Sequence, residues 1–193
     1  MKHKLTFTIP GLLLASPAAA HLPEGEYGSF MAGVTHPLFG LDHVLAMIVV
    51  GLWAAQLGGR AIWSVPTAFV SAMVIGFLLA LTGVILPVTE PMILASIIVL
   101  GLVAALALRP GLPAAMAIAS IFALFHGAAH GGELGQAQAW QFGAGFALAT
   151  AGLHAIGVGV ALLFAQALRD GAGRVLRAMG ALTSLCGLFL AFG

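Results

Sequence analysis

The stretch HPLFGLDHVLAMIVVGLWAAQL, residues 36–57, joins two histidines and an aspartate to a long apolar run at residues 44–57. The run has the composition of a membrane-spanning helix, and ionisable groups inside such a helix are costly and usually functional. Two imidazoles and a carboxylate close together suit a borderline transition-metal cation. The stretch therefore predicts a membrane helix that carries metal ligands, with His36, Asp42 and His43 as the candidates.

The composition of the whole chain predicts an integral membrane protein. Of its 193 residues, 61% are hydrophobic and 7% are charged, whereas a soluble domain carries about 25% charged residues. So few charges cannot cover a water-exposed surface, and the absence of a basic patch excludes a nucleic-acid partner. The expected fold is all-α, a polytopic membrane helix bundle in the lipid bilayer. The single cysteine, Cys186, cannot form an internal disulfide.

The first 20 residues have the features of a secretory signal peptide. Lys2 and Lys4 form a positive start, and the apolar core at residues 5–15 is too short to span a bilayer. The small residues at 18–20 form a cleavage pattern, and cleavage after Ala20 would leave His21 as the first mature residue. We therefore expect a cleaved signal peptide at residues 1–20 and one membrane domain at residues 21–193. The alternative is an uncleaved N-terminal anchor.

Six apolar segments follow in the mature chain, and each is close to the ~20 residues that cross a ~30 Å hydrocarbon core. Short connections rich in Gly and Pro separate them. The predicted spans are residues 38–57, 63–84, 92–108, 113–130, 140–165 and 175–192. The sequence thus predicts a bundle of six transmembrane helices without a second domain.

The arginines predict the orientation of this bundle. If the mature N-terminus is periplasmic, the loops after spans 1, 3 and 5 face the cytoplasm. Those loops, with the adjoining start of span 6, hold all five arginines of the chain, namely Arg60, Arg109, Arg169, Arg174 and Arg177. Cytoplasmic loops carry an excess of Lys and Arg, so we expect a multi-pass protein of the bacterial inner membrane with both mature termini periplasmic.

The first histidine motif is expected to lie at the outer end of span 1. On a single helix His36 and His43 would share a face, because seven residues separate them. Asp42 could bind a cation directly or fix the tautomer of a neighbouring imidazole. Pro37 suits the first turn of a helix, and Gly40 leaves room for close approach.

The second motif ends span 4, where His126 and His130 form an i, i+4 pair. Glu133 would join their face if the helix persists through Gly131 and Gly132, and would otherwise lie on a loop. Both motifs would then reach the outer half of the membrane. His154 lies deeper in span 5 and is a candidate second station on a path inward. His21 is a candidate ligand in an external tail.

Structural readings of the same residues remain open. His126 and His130 could be a helix-packing pair, and His154 could simply form a hydrogen bond to a neighbouring helix. Met47 could offer a thioether but is expected to pack in the core. Trp53, Trp63 and Trp140 are expected to lie at the membrane interfaces.

Both motifs resemble those of a known family. HPLFGLDHVLAM at residues 36–47, with VVG at residues 49–51, resembles the signature of the HupE/UreJ proteins. FHGAAHG at residues 125–131, with Glu133 after it, resembles their second motif. The resemblance implies secondary permeases for nickel, with cobalt in some members, that serve nickel enzymes such as hydrogenase and urease. It also implies metal-binding roles for the motif residues: His36, Asp42, His43, His126, His130 and Glu133.

We therefore expect a nickel or cobalt uptake permease rather than an enzyme, with Ni²⁺ or Co²⁺ as the transported substrate and no prosthetic group. The sequence has no P-loop, so the chain itself is not expected to hydrolyse ATP. An intramembrane metalloenzyme is one alternative, although the zinc-protease pattern HExxH is absent. A metal sensor or accessory protein for nickel-enzyme maturation is another. The choice between nickel and cobalt, homo-oligomer formation and a partnership with maturation proteins stay open.

Overall fold

A computed structural model of the chain describes residues 28–132, 134, 137–168 and 171–193. These residues form α-helices and contain no strand, which confirms the all-α fold. The predicted signal peptide, His21 and Glu133 lie outside the described residues. The helices are α1 (Gly28–Phe39), α2 (Leu41–Leu57), α3 (Ala61–Leu81), α4 (Thr89–Ala105), α5 (Leu112–Gly132), α6 (Ala139–Leu168) and α7 (Ala172–Phe192).

Every predicted span coincides with one or two of these helices, but the helices differ in how well they fit a membrane crossing. Four of them, α3, α5, α6 and α7, are long and apolar enough to cross a bilayer. Helices α1 and α2 are long and apolar enough for a crossing only when they are counted together as one bent span. The remaining helix, α4, is apolar but has 17 residues. The described part of the chain therefore contains four clear crossings, or five with the bent pair.

Span 1 is not the single straight helix that the sequence predicted. The axes of α1 and α2 differ by 81°, and the chain bends at Gly40, which has an extended backbone. Pro37 lies in the last turn of α1 rather than in a first turn. Its ring removes a backbone donor and crowds the preceding turn, so a break soon after it has a local cause. His36 and His43 consequently lie on different helices, and the prediction that they share one helix face was wrong.

Helix α2 forms the centre of the bundle. Nine of its 17 residues are buried, so the other helices pack around it. Trp53 is 0% exposed, and its Nε1 donates a hydrogen bond to the carbonyl of Leu108 at 3.0 Å. Trp53 is therefore enclosed by the bundle, and its expected position at a membrane interface stays a prediction. Trp63 and Trp140, at the starts of α3 and α6, are 76% and 74% exposed.

Glycines allow the helices to approach each other closely. A side chain at Gly51 of α2 would collide with the carbonyl of His154 on α6, and one at Gly127 of α5 would collide with the carbonyl of Met73 on α3. Small residues at such crossings let backbones pack together in lipid, where helices gain no hydrophobic free energy by leaving the acyl chains. These crossings fix the histidine-bearing helices against one another.

Contacts between helices show that the chain reverses direction at each connection from α2 to α7. Ser120 donates to Ala68 and Gly131 packs against Phe77, so α5 runs parallel to α3. Arg177 reaches Ala105, whereas Ser184, further along α7, reaches Ile98, which comes earlier in α4. Helix α7 is therefore antiparallel to α4. As a result, the start of α2 and the end of α5 lie at the same end of the bundle, and the two histidine motifs meet there.

Candidate metal site

The break between α1 and α2 builds the first part of the site. A Cβ atom at residue 40 would lie 2.8 Å from Asp42 Oδ1 and 2.9 Å from His43 Nδ1, closer than side chains tolerate. Glycine at this position therefore lets both groups turn back over the bend. His36, near the end of α1, then faces His43 with their ring centroids 6.4 Å apart.

A chain of hydrogen bonds links Asp42, His43 and His130. His43 Nδ1 lies 2.9 Å from Asp42 Oδ1, and an ionised carboxylate only accepts hydrogen bonds. Nδ1 of His43 thus carries a proton, and in a neutral ring Nε2 is then the acceptor. His130 Nε2 lies at hydrogen-bond distance from that atom and donates to it. The hydrogen bond from His43 Nδ1 to Asp42 therefore fixes the tautomer of His43 in this arrangement.

His126 is oriented in a similar way by Ser96 of α4. Ser96 Oγ uses its one proton to donate a hydrogen bond to the carbonyl of Ile93 at 2.6 Å, so its oxygen accepts a hydrogen bond from the Nε2–H of His126 at 2.9 Å. In a neutral ring this leaves the lone pair on Nδ1. That nitrogen is buried and has no hydrogen-bond partner among the described residues. His126 therefore presents a free Nδ1 inside the bundle.

The four imidazoles form one cluster, which we call the imidazole cluster and define as His36, His43, His126 and His130. The ring centroids of His36 and His130 are 4.4 Å apart, and the centroid of His43 is 4.5 Å from that of His130 and 5.0 Å from that of His126. His43, His126 and His130 are 7%, 0% and 3% exposed, and His36 is half-buried. Three helices thus bring four imidazoles together inside the bundle.

Aromatic rings enclose the imidazole cluster. Phe146 of α6 lies 4.6 Å from His130 and Phe142 lies 5.6 Å from His36, both between centroids. Phe69 of α3 lies 5.8 Å from His126. These apolar walls keep water away from the imidazoles, so a cation that enters must exchange its hydration shell for protein ligands.

The other predicted ligands lie elsewhere. His154 is on α6 and is 1% exposed, and its ring lies against Phe69 at 5.0 Å rather than in ring contact with His43. Glu133 directly follows the end of α5 but, like His21, lies outside the described residues. Ser96 was missed by sequence reasoning, because a lone serine in an apolar helix belongs to no motif. Ser96 could have been found only by comparing its expected position along α4 with the expected positions of the histidines on α5.

Comparison with known proteins places this cluster in a family context. The sequence profile of the family described as HupE / UreJ protein matches residues 9–190. The chain belongs to the HupE/UreJ family. A similar protein is Protein HupE from Rhizobium leguminosarum bv. viciae, which is 42% identical over 193 residues and covers 98% of each chain. The resemblance seen in the two histidine motifs is thus confirmed. No solved structure matches the chain.

Membership in the HupE/UreJ family relates the chain to nickel and cobalt transport or to an accessory function in it. Together with the apolar helices it establishes a multi-pass membrane protein. At this coarse level the family agrees with the expectation of a non-enzyme.

Some imidazole nitrogens of the cluster are hydrogen-bonded to one another or to other protein groups, and Nδ1 of His126 is unpartnered among the described residues. Within the described residues, no three His, Cys, Asp or Glu side chains are placed to hold a metal ion together. Instead, the Nε2 atoms of His43 and His130 form a hydrogen bond with each other. Two imidazole nitrogens bound to one cation at ~2.1 Å with a tetrahedral angle lie about 3.4 Å apart. The pair would therefore have to separate before a cation could lie between its nitrogens.

Proposed function

We propose that this protein is a secondary permease that carries Ni²⁺ or Co²⁺ inward across the bacterial inner membrane, and that the imidazole cluster captures the ion. The observation that carries the proposal is the convergence of four imidazoles and the Asp42 carboxylate from three helices. Burying so many ionisable groups inside a membrane protein is costly, and such groups usually mark an ion pathway. The family relationship supports the same conclusion.

In this proposal the cation takes the place of the proton between His43 and His130. The single ring proton of neutral His130 would shift from Nε2 to Nδ1, so that the lone pair on Nε2 can bind the cation. His43 Nε2 is already a lone-pair donor because Asp42 holds the proton on Nδ1. His126 Nδ1 supplies a third nitrogen. Imidazole nitrogens suit both nickel and cobalt, so neither metal is favoured over the other.

The proposed topology has six crossings with the imidazole cluster near the periplasmic face. The reversal of direction at each connection supports it, and α4 would then be a short crossing. Arg60 and Arg109 lie at the connections opposite the imidazole cluster, as cytoplasmic loops require. Glu133 and His21 would lie near the entrance as capturing ligands. A membrane potential of 100 mV favours inward movement of a divalent cation by about 4.6 kcal/mol.

Uptake of radiolabelled metal tests this function. Cells that produce the protein should accumulate ⁶³Ni or ⁵⁷Co above cells with an empty vector, and each metal should compete with the other. Collapse of the membrane potential by an uncoupler should abolish the accumulation. Absence of uptake by correctly inserted protein would exclude a permease and favour an accessory protein, a sensor or a metalloenzyme.

Reporter fusions test the proposed orientation. A reporter joined after Gly171, in the connection between α6 and α7, should behave as cytoplasmic, and one joined after Gly193 as periplasmic. The reason is that Arg174 and Arg177 begin α7 and retain that end inside. Alkaline phosphatase and green fluorescent protein activities give the measurement. The opposite pattern would place the imidazole cluster at the cytoplasmic face and reject uptake from outside.

Substitution of Ser96 tests the orientation of His126. Ser96→Ala removes the acceptor for Nε2, so Nδ1 is no longer fixed towards the imidazole cluster, and nickel affinity should fall about 10- to 100-fold. Ser96→Thr keeps the hydroxyl and should restore most of the affinity. Ser184→Ala is the matched control, because Ser184 also donates to a helix carbonyl, that of Ile98. Equal affinities for Ser96→Ala and Ser184→Ala, measured by calorimetry, would remove Ser96 from the site.

A further inference from the structure

The seam between α3 and α6 leads from the imidazole cluster towards the middle of the bundle. Phe146 begins this seam on α6, where its ring contacts His130. One turn further along α6, Thr150 Oγ1 meets the sulfur of Met73 on α3 at 3.5 Å. One more turn along, the ring of His154 contacts Phe69 at 5.0 Å. All six of these side chains are at most 3% exposed.

His154 has no hydrogen-bonding partner for either ring nitrogen among the described residues. The side chain is 1% exposed. A neutral imidazole carries one donor and one acceptor, and burial without partners removes their hydration without compensation. An apolar side chain of similar size would avoid this cost. A group that binds to His154 during function accounts for its presence at this position.

The surroundings of His154 indicate what that group is. The side chains that line this part of the seam offer an imidazole nitrogen from His154, a thioether from Met73 and a hydroxyl from Thr150. This set of borderline, soft and neutral donors suits a late first-row divalent cation. The three donors carry no negative charge, so they would hold the cation loosely enough for it to leave. The His154 backbone is fixed against Gly51 of α2, which makes its position rigid.

His126 connects this region with the imidazole cluster. Its ring lies 5.0 Å from that of His43 and 5.8 Å from that of Phe69, both between centroids, and Phe69 in turn contacts His154. The unpartnered Nδ1 of His126 and the two unpartnered nitrogens of His154 are therefore separated by one aromatic ring. Phe69 is therefore the side chain that a cation moving from His126 to His154 would have to pass.

We propose that His154, Met73 and Thr150 form an inner station that receives the divalent cation from His126. This inference rests on the proposed transport function and adds a second binding site on the path. The imidazole cluster captures the cation, and the inner station holds it briefly before release. Capture then determines the apparent KM, whereas transfer to the inner station limits the maximum rate.

Transport by full-length protein in proteoliposomes tests the inner station, with Ni²⁺ as the probe and an imposed potential. His154→Phe fills the same volume without a ligand atom. It should lower the maximum rate at least about ten-fold while the apparent KM stays within about two-fold. Met73→Leu and Thr150→Val should lower the rate in the same way but by less. Matched controls on α7 are Met179→Leu and Thr183→Val, which should transport like wild type.

The outcomes separate the two proposals. If wild type does not transport Ni²⁺, the proposed function fails. If wild type transports and His154→Phe does so at the normal rate, the inner station is wrong and the permease proposal stands. If His154→Phe does not insert into the membrane, Met73→Leu together with His154→Gln decides, since both keep the side-chain volume. Normal rates in both of these variants would also overturn the inner station.

Discussion

Nickel uptake should fall to background in cells that produce the His43→Ala variant. His43 contacts all three other members of the imidazole cluster, and its tautomer is fixed by Asp42. Its removal takes away one ligand and also the partner that holds His130 in place. Because a small cation needs several ligands at about 2 Å, loss of the central one should abolish capture. Uptake of ⁶³Ni by whole cells gives the measurement.

Two companion variants make this result interpretable. Met47→Leu lies one turn later on the same helix, where Met47 is 0% exposed in the core, and it should keep uptake within about two-fold. Asp42→Asn should give an intermediate loss, because the amide no longer selects the tautomer of His43 as a carboxylate does. Membrane content measured by immunoblot shows whether each variant inserts. Normal uptake by well-inserted His43→Ala protein would exclude His43 from the mechanism.

The sequence predicted the features of this molecule that depend on composition and on spacing within one helix. Low charge and long apolar runs predicted a helical membrane protein, and the described residues agree. The i, i+4 spacing of His126 and His130 predicted that both side chains face the same side of α5, and both are buried there. These conclusions follow from helical periodicity alone, so no knowledge of the packing was needed.

The bend at Gly40 could not be predicted with the same certainty. A sequence reading that follows helical periodicity through residues 36–43 places His36 and His43 on one face. The structure brings the two rings together by a different route, with His36 on α1 and His43 on α2. Pro37 and Gly40 were both noted in the sequence, but each also occurs inside membrane helices. Only packing of α1 against α6 shows that the chain turns here.

The side-chain hydrogen bonds that join residues of different helices were the least predictable feature. Trp53 has the side chain of an interface residue, yet its indole is buried because it reaches Leu108. Ser96 on α4 orients His126 on α5, a pairing that depends on how these two consecutive helices are rotated against each other. Such pairs depend on rotation and depth of whole helices, about which a single sequence carries little information. The predicted metal roles of the site residues, including Glu133 and His21, remain predictions.

Combining His43→Ala with His126→Ala should weaken nickel binding little more than either substitution does alone. The two side chains come from α2 and α5, and their ring centroids are 5.0 Å apart. His43 offers Nε2 and His126 offers Nδ1, so one cation can contact both. Once either ligand is lost, the cation binds so weakly that removal of the second ligand lowers the affinity little further. If each substitution costs about 100-fold in affinity, the double variant should also lose about 100-fold rather than about 10,000-fold.

Calorimetry on purified protein is the proper measurement for this pair, because uptake combines affinity with rate. The matched control combines His43→Ala with Ser184→Ala on α7, where no coupling is expected and the double variant should equal His43→Ala. If the fold-loss of nickel affinity in the double variant equals the product of the losses from His43→Ala and His126→Ala, the two motifs bind separate ions. In that case the imidazole cluster would be two successive sites along the path, because independent ligands cannot share the coordination shell of a single cation.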